Sequence, residues 1–282
     1  MVKQRVELNR VREFGDVIND TILFFKQNFR PLMNAYFVIC GFFLVAGAAI
    51  QIVVELRDLQ DNNLTPFNLS YWTNLLFSSL DSAVVALTTL SYIALYKEKG
   101  KEPPTVTEVW GYFRYYFFRV FISQLILEAC VVVGFFLCIF PGVYLLPVLS
   151  LVIPIMVLEN TSLNYAFSYC FKLIKENWWF MLGVILLLFI IVFAAMALVI
   201  VPPLVIIGGG EWLSGINSNS TEIIASAIAS NLARVFYILP IIAIALVYFS
   251  LAEQIHATSL MQRIQMFGKK DTRDDQTSSE QY

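Results

Sequence analysis

Histidine is almost missing from this chain: His256 is the single one in 282 residues. That removes histidine-based zinc sites and Ser-His-Asp nucleophilic catalysis from consideration. Cysteine is sparse and shows no CxxC spacing. Cys40, Cys130, Cys138 and Cys170 lie in apolar or amphipathic stretches, so they read as small core residues rather than disulfides or metal ligands. Charge is scarce as well. Asp, Glu, Lys and Arg make up 14% of the chain, against about 25% in a soluble domain. Lys and Arg are absent from 31–56, 120–171, 176–233 and 235–262, and the run from Asn177 to Gly210 has no charged residue. Such runs exclude an ordinary water-soluble core.

What is present is apolar: 58% of the residues are hydrophobic. A spanning helix needs about 20 mostly apolar residues. The runs predict an all-α membrane protein with six spans, at about 32–55, 72–96, 118–139, 142–158, 178–204 and 232–254. Residues 1–268 read as one polytopic domain, and 269–282 as a polar, disordered tail. Met1 to Arg30 has neither the apolar region nor the cleavage site of a signal peptide, so span 1 is expected to act as the targeting signal. Of the 19 Lys and Arg residues, all but Arg57 and Arg234 fall on one side of these spans. That asymmetry predicts cytoplasmic N- and C-termini in the cell inner (plasma) membrane.

The segments before spans 1, 3 and 5 predict cytoplasmic amphipathic helices in the headgroup layer. In the first, Phe14, Val17, Ile18, Ile22, Phe25 and Phe29 form a stripe opposite Arg12, Asp16, Asn19, Asp20 and Lys26. In the second, a Thr105-x-x-Glu108 capping box precedes Val109, Trp110, Phe113 and Phe117. The third carries Leu163, Ala166, Phe167, Cys170 and Ile174 on one face. Surface helix, span and returning span then recur three times. "KQNFRPLM" (Lys26 to Met33) aligns with "KENWWFML" (Lys175 to Leu182), each at the junction of surface helix and span.

The segment "FPGVYLLPVLSLVIPIMVLEN" (Phe140 to Asn160) holds three prolines in an apolar run. Pro141 and Gly142 are expected at the turn between spans 3 and 4, where a missing N–H costs little. Pro147 and Pro154, seven residues apart, should bend span 4 in one direction, with Ser150, neighbouring helices or water satisfying the freed carbonyls. Glu159 ends the span. Lys175, Trp178 and Trp179 mark the next membrane interface.

Apart from Glu55, Arg119 and Glu253 at span ends, the charges within spans are Asp81, Glu128 and Arg234. A charge at the centre of a span costs roughly 2.5–3.5 kcal/mol on insertion scales, so such residues are candidates for function. Depth allows Arg234 to pair with either carboxylate, as a structural clamp or as part of a solute-binding site. No residue stands out as catalytic, and no metal or cofactor pattern is present. Gly208-Gly209-Gly210 lacks the strand and the lysine of a phosphate-binding loop.

"REFGDVINDTILFFKQNF" (Arg12 to Phe29) resembles the start of the membrane domain of bacterial glycerophosphoryl diester phosphodiesterases. So does the central block of Phe140-Pro141-Gly142, Pro154, Glu159, Ala166, Lys175 and Trp178-Trp179. "YFSLAEQIHATSLMQRIQMFG" is similar to the family's end, and related uncharacterised polytopic families share the pattern. The resemblance implies a helical inner-membrane module. Since only a short polar tail follows the last span, it implies no catalysis. The expected role is a non-catalytic scaffold, lipid-interacting or regulatory subunit. A transporter or channel using the intramembrane carboxylates is the alternative. Expected partners are membrane lipids and a protein partner or second copy, with no nucleic acid: the bases are spread along surface helices, as suits anionic headgroups.

Overall fold

The computed structural model describes residues 6–60, 69–137, 139–214 and 219–255, and among these there is no strand. Helices α1 (Phe14–Gln60), α2 (Leu69–Glu98) and α3 (Val106–Leu137) are followed by two short ones, α4 (Ile139–Ser150) and α5 (Val152–Leu158). Then come α6 (Leu163–Ile174), α7 (Trp178–Ser214) and α8 (Asn219–Ala233). A 3₁₀ turn, Arg234–Tyr237, joins α8 to a last helix, α9, over 238–255. Six stretches are long and apolar enough to cross a membrane: α1, α2, α3, α4 with α5, α7, and α8 with α9. The chain is an all-helical, multi-pass membrane protein. Exposed side chains such as Phe42, Phe118, Phe136, Phe140 and Phe193 form a surface that only lipid suits.

The spans divide into an outer and an inner set. In spans 1, 3 and 5, 17%, 22% and 22% of the most apolar stretch is buried, against 67%, 61% and 61% in spans 2, 4 and 6. Helix α2 is buried almost without interruption from Ala83 to Tyr96, and α5 from Val152 to Val157. The core therefore lies along α2, α5 and α9, with α1, α3 and α7 around it.

Two expected surface helices are not separate elements. Residues 14–30 and span 1 are one helix, and so are 106–117 and span 3. The reason is phase. Val17, Phe24, Leu32, Ala35 and Ile39 share one buried stripe that passes through Pro31 without a slip. Val109, Phe113, Tyr116, Val120, Ser123 and Leu127 do the same in α3. A helix whose apolar stripe continues in register has no cause to break. Only α6 stands alone. It is capped by Ser162, which accepts from the Tyr165 N–H. Asn160, at φ 51°, turns the chain after α5 in the left-handed conformation that Asn tolerates. Span 5 also extends past its expected end to Ser214, and span 6 starts early, at the head of α8.

Arg12 is another correction. Expected on the polar face, it is 3% exposed. Its guanidinium donates to the carbonyls of Glu7, Leu8 and Arg10 and to Asp20, while its backbone N–H reaches Ser250 Oγ at 2.8 Å. The Ser250 bond fastens the N-terminal segment to α9, and the Asp20 bond fastens it to α1. Cys40 and Cys170 are buried and Cys130 is half-buried, all unpaired. In α6, burial pushes the Cys170 thiol up to about 12, so it stays protonated and inert near neutrality. His256, Cys138 and the tail from Lys269 lie outside the described residues.

Candidate functional site

The proline segment positions everything around it. Helix α4 begins at Ile139, so Pro141 falls in its first turn rather than at its first residue, where an N–H has no helical partner in any case. Gly142 packs under α3: a Cβ there would lie 2.6 Å from the Phe135 ring. The break at Leu151 follows from the other prolines. Pro154 has no N–H for the carbonyl of Ser150. Leu151 N–H donates to the Val148 carbonyl at 3.4 Å, and the Pro147 carbonyl takes the Ser150 hydroxyl at 2.8 Å instead. At the far end, Glu159 accepts from the Tyr248 hydroxyl of α9. Trp178 stacks on Tyr144 and donates to its carbonyl at 3.2 Å, while Trp179 projects outward, 79% exposed. Lys175 ends α6 and is exposed.

The two carboxylates fare differently. Asp81, on α2, is 2% exposed and accepts from Arg234 Nη1. Arg234 sits in the 3₁₀ turn, which tightens because Pro240 cannot serve the Phe236 carbonyl. On the third side is Gly47 of α1, where a Cβ would come within 2.7 Å of Asp81 Oδ2. The absence of a side chain is what lets the carboxylate reach the α1 backbone. A second set of polar contacts lies beside this pair. Asn231 Nδ2 donates to Gln51 Oε1 at 3.0 Å and to the Ala227 carbonyl at 2.8 Å, and Gln51 Nε2 donates to Glu55 at 2.9 Å. This is a closed seam between α1, α2 and span 6.

Glu128, expected as the alternative partner of Arg234, does not pair with it. Ser79 Oγ donates to Glu128 Oε2, and Gln124 Nε2 donates to Oε1 at 2.8 Å. The same Gln124 nitrogen lies 3.4 Å from Ser82 Oγ. Glu128 faces a cavity of about 640 Å³ bounded by α2, α3, α4, α5, α7, the end of the 3₁₀ turn and the start of α9. Ser78, Ser79, Ser82, Gln124 and Ser150 join it on the lining; most of the remaining wall is Leu, Ile and Val. Asp81 is not on that wall. Pro154 and Ser150 are, so the break in span 4 belongs to the cavity and not only to the hairpin.

Ser78, Ser79, Ser82 and Gln124 were missed at sequence level. Their signal was spacing: Ser78 and Ser82 lie four apart on α2, Gln124 and Glu128 four apart on α3, so each pair shares a helix face. Among the described residues, no group of three or more His, Cys, Asp or Glu could hold a metal ion. No protein-family model, curated protein or solved structure matches the chain.

Proposed function

We propose that the chain is a non-catalytic, lipid-interacting module of the inner membrane, with both termini cytoplasmic, that holds an amphiphilic molecule between its helices. One observation carries this reading: the cavity has a polar group of side chains around Glu128 and an apolar wall elsewhere. Ligand cavities of roughly 300–1,000 Å³ with few, convergent polar groups are typical of small-molecule sites. The role fits the kind of module that the resemblance to the phosphodiesterase membrane domain implies. The clustering of Lys and Arg on one side of the spans supports the orientation.

Transport is the second reading, favoured by the broken span in the cavity wall, since discontinuous helices often flank transported solutes. Purification in a mild detergent, followed by native mass spectrometry and extraction of bound lipids, tests the first. The expected result is one amphiphile retained per chain. A protein that retains a small water-soluble solute instead supports transport, and one that retains nothing argues against both.

A further inference from the structure

Resting on that reading, we infer that the cavity takes an amphiphile with a protonated amine as its head, seated against Glu128. The charge inventory of the wall points there. Among the described residues, Glu128 is the acidic group on the lining, and no Lys, Arg or His lines it. The nearest interior cation that span 6 offers, Arg234, is engaged by Asp81 in the separate seam. Glu128 is therefore met by a hydroxyl and an amide and by no positive charge.

A carboxylate has about four lone-pair sites. Ser79 and Gln124 occupy one on each oxygen, which leaves sites on both for a donor from the cavity. Ser78 and Ser82 supply hydroxyl oxygens on the same wall, four residues apart, as acceptors for the remaining N–H groups of an ammonium head. Phosphate, sulfate and carboxylate heads find no cation here and would face a like charge. A charge in low dielectric is stable only when paired, so a cationic head neutralises what the fold leaves open. The Leu, Ile and Val wall then receives the hydrocarbon tail.

The test uses the full chain in a neutral maltoside detergent, titrated with three amphiphiles of one chain length: dodecylammonium, dodecanol and dodecyl sulfate. Binding is read by native mass spectrometry and by the shift in unfolding temperature. Dodecylammonium should bind at least about ten-fold more tightly than dodecanol, and dodecyl sulfate least, as expected when a half-buried charge gains its partner. Glu128→Gln should bring dodecylammonium down to the dodecanol value, and Glu128→Asp should keep most of the preference. If Glu128→Gln does not fold, Ser82→Lys serves, because an internal ammonium should displace the ligand's head and abolish the preference.

Two results overturn the proposal and differ in what they spare. Equal binding of dodecylammonium and dodecanol, both weakened by the cavity-filling Ser78→Phe, sinks the amine head and leaves the amphiphile cavity standing. Binding of neither, or of both without any effect of Ser78→Phe, sinks the cavity reading as well.

Discussion

Asp81 and Glu128 are the same chemistry in two settings. Both carboxylates belong to helices that cross the bundle; Asp81 is buried and Glu128 half-buried. Asp81 is sealed by an arginine, an asparagine-linked polar chain and a glycine that leaves it room. Glu128 is held by a serine and a glutamine, and its free side looks into a cavity. The comparison teaches that an intramembrane acid does not declare its role by its type or its depth. The partner decides: a cation supplied by the fold makes a fastener, and its absence leaves an acid whose open lone pairs face the cavity.

The sharpest way to break this contrast is to unpair the seam. Asp81→Asn should cost about 3–5 kcal/mol because it leaves Arg234 without its counter-charge; the readout is thermal unfolding in detergent and membrane yield. A double variant, Asp81→Asn with Arg234→Met, should recover much of the loss, and the coupling in that cycle measures the pair itself. Unchanged expression and melting in Arg234→Ala would remove the fastener from the account. Next comes Gly47→Ala, whose new methyl meets Asp81 Oδ2 at 2.7 Å. It should destabilise by about 1–3 kcal/mol through overpacking, again seen in melting. On the cavity side the effects shrink. Ser79→Ala should cost about 1 kcal/mol, the worth of one hydrogen bond. Glu128→Gln should change melting least of all, since no protein cation is left stranded. A last measurement separates the two regions without energetics. In a background lacking the natural cysteines, Ser82→Cys should react with a small maleimide, and Asn231→Cys should stay unlabelled.

How far these regions could be read beforehand follows from the same physics. The six spans stood out because charge is excluded over tens of residues, and the Thr105–Glu108 box marked the start of α3, where Thr105 N–H donates to Glu108 at 2.8 Å. Asp81 and Arg234 were visible as charges inside apolar runs. The inner and outer spans were not, because lipid is as apolar as a protein core and leaves no contrast between buried and exposed faces. Helix ends were misplaced where a half-polar stripe such as Val17 to Asn28 stays in phase with the span beyond it. The cavity was the least legible part. Ser78, Ser79 and Ser82 carry no charge to mark them in an apolar run, and an empty volume is a property of five spans at once.

One detail of span 4 has a mechanical side. Around Leu151 the ladder lacks two rungs, three residues apart: the Leu151 N–H has turned to Val148, and Pro154 has none to give Ser150. The Ser150 hydroxyl keeps the Pro147 carbonyl satisfied, yet a side-chain bond within one turn adds little stiffness along the helix axis. Bending compliance is thereby concentrated at one point, in the stretch of wall that Leu149, Ser150, Ile153 and Pro154 present to the cavity. The wall thus carries an elbow in span 4 that faces a second irregular stretch across the cavity, the 3₁₀ turn of span 6 that ends at Tyr237 just before Pro240.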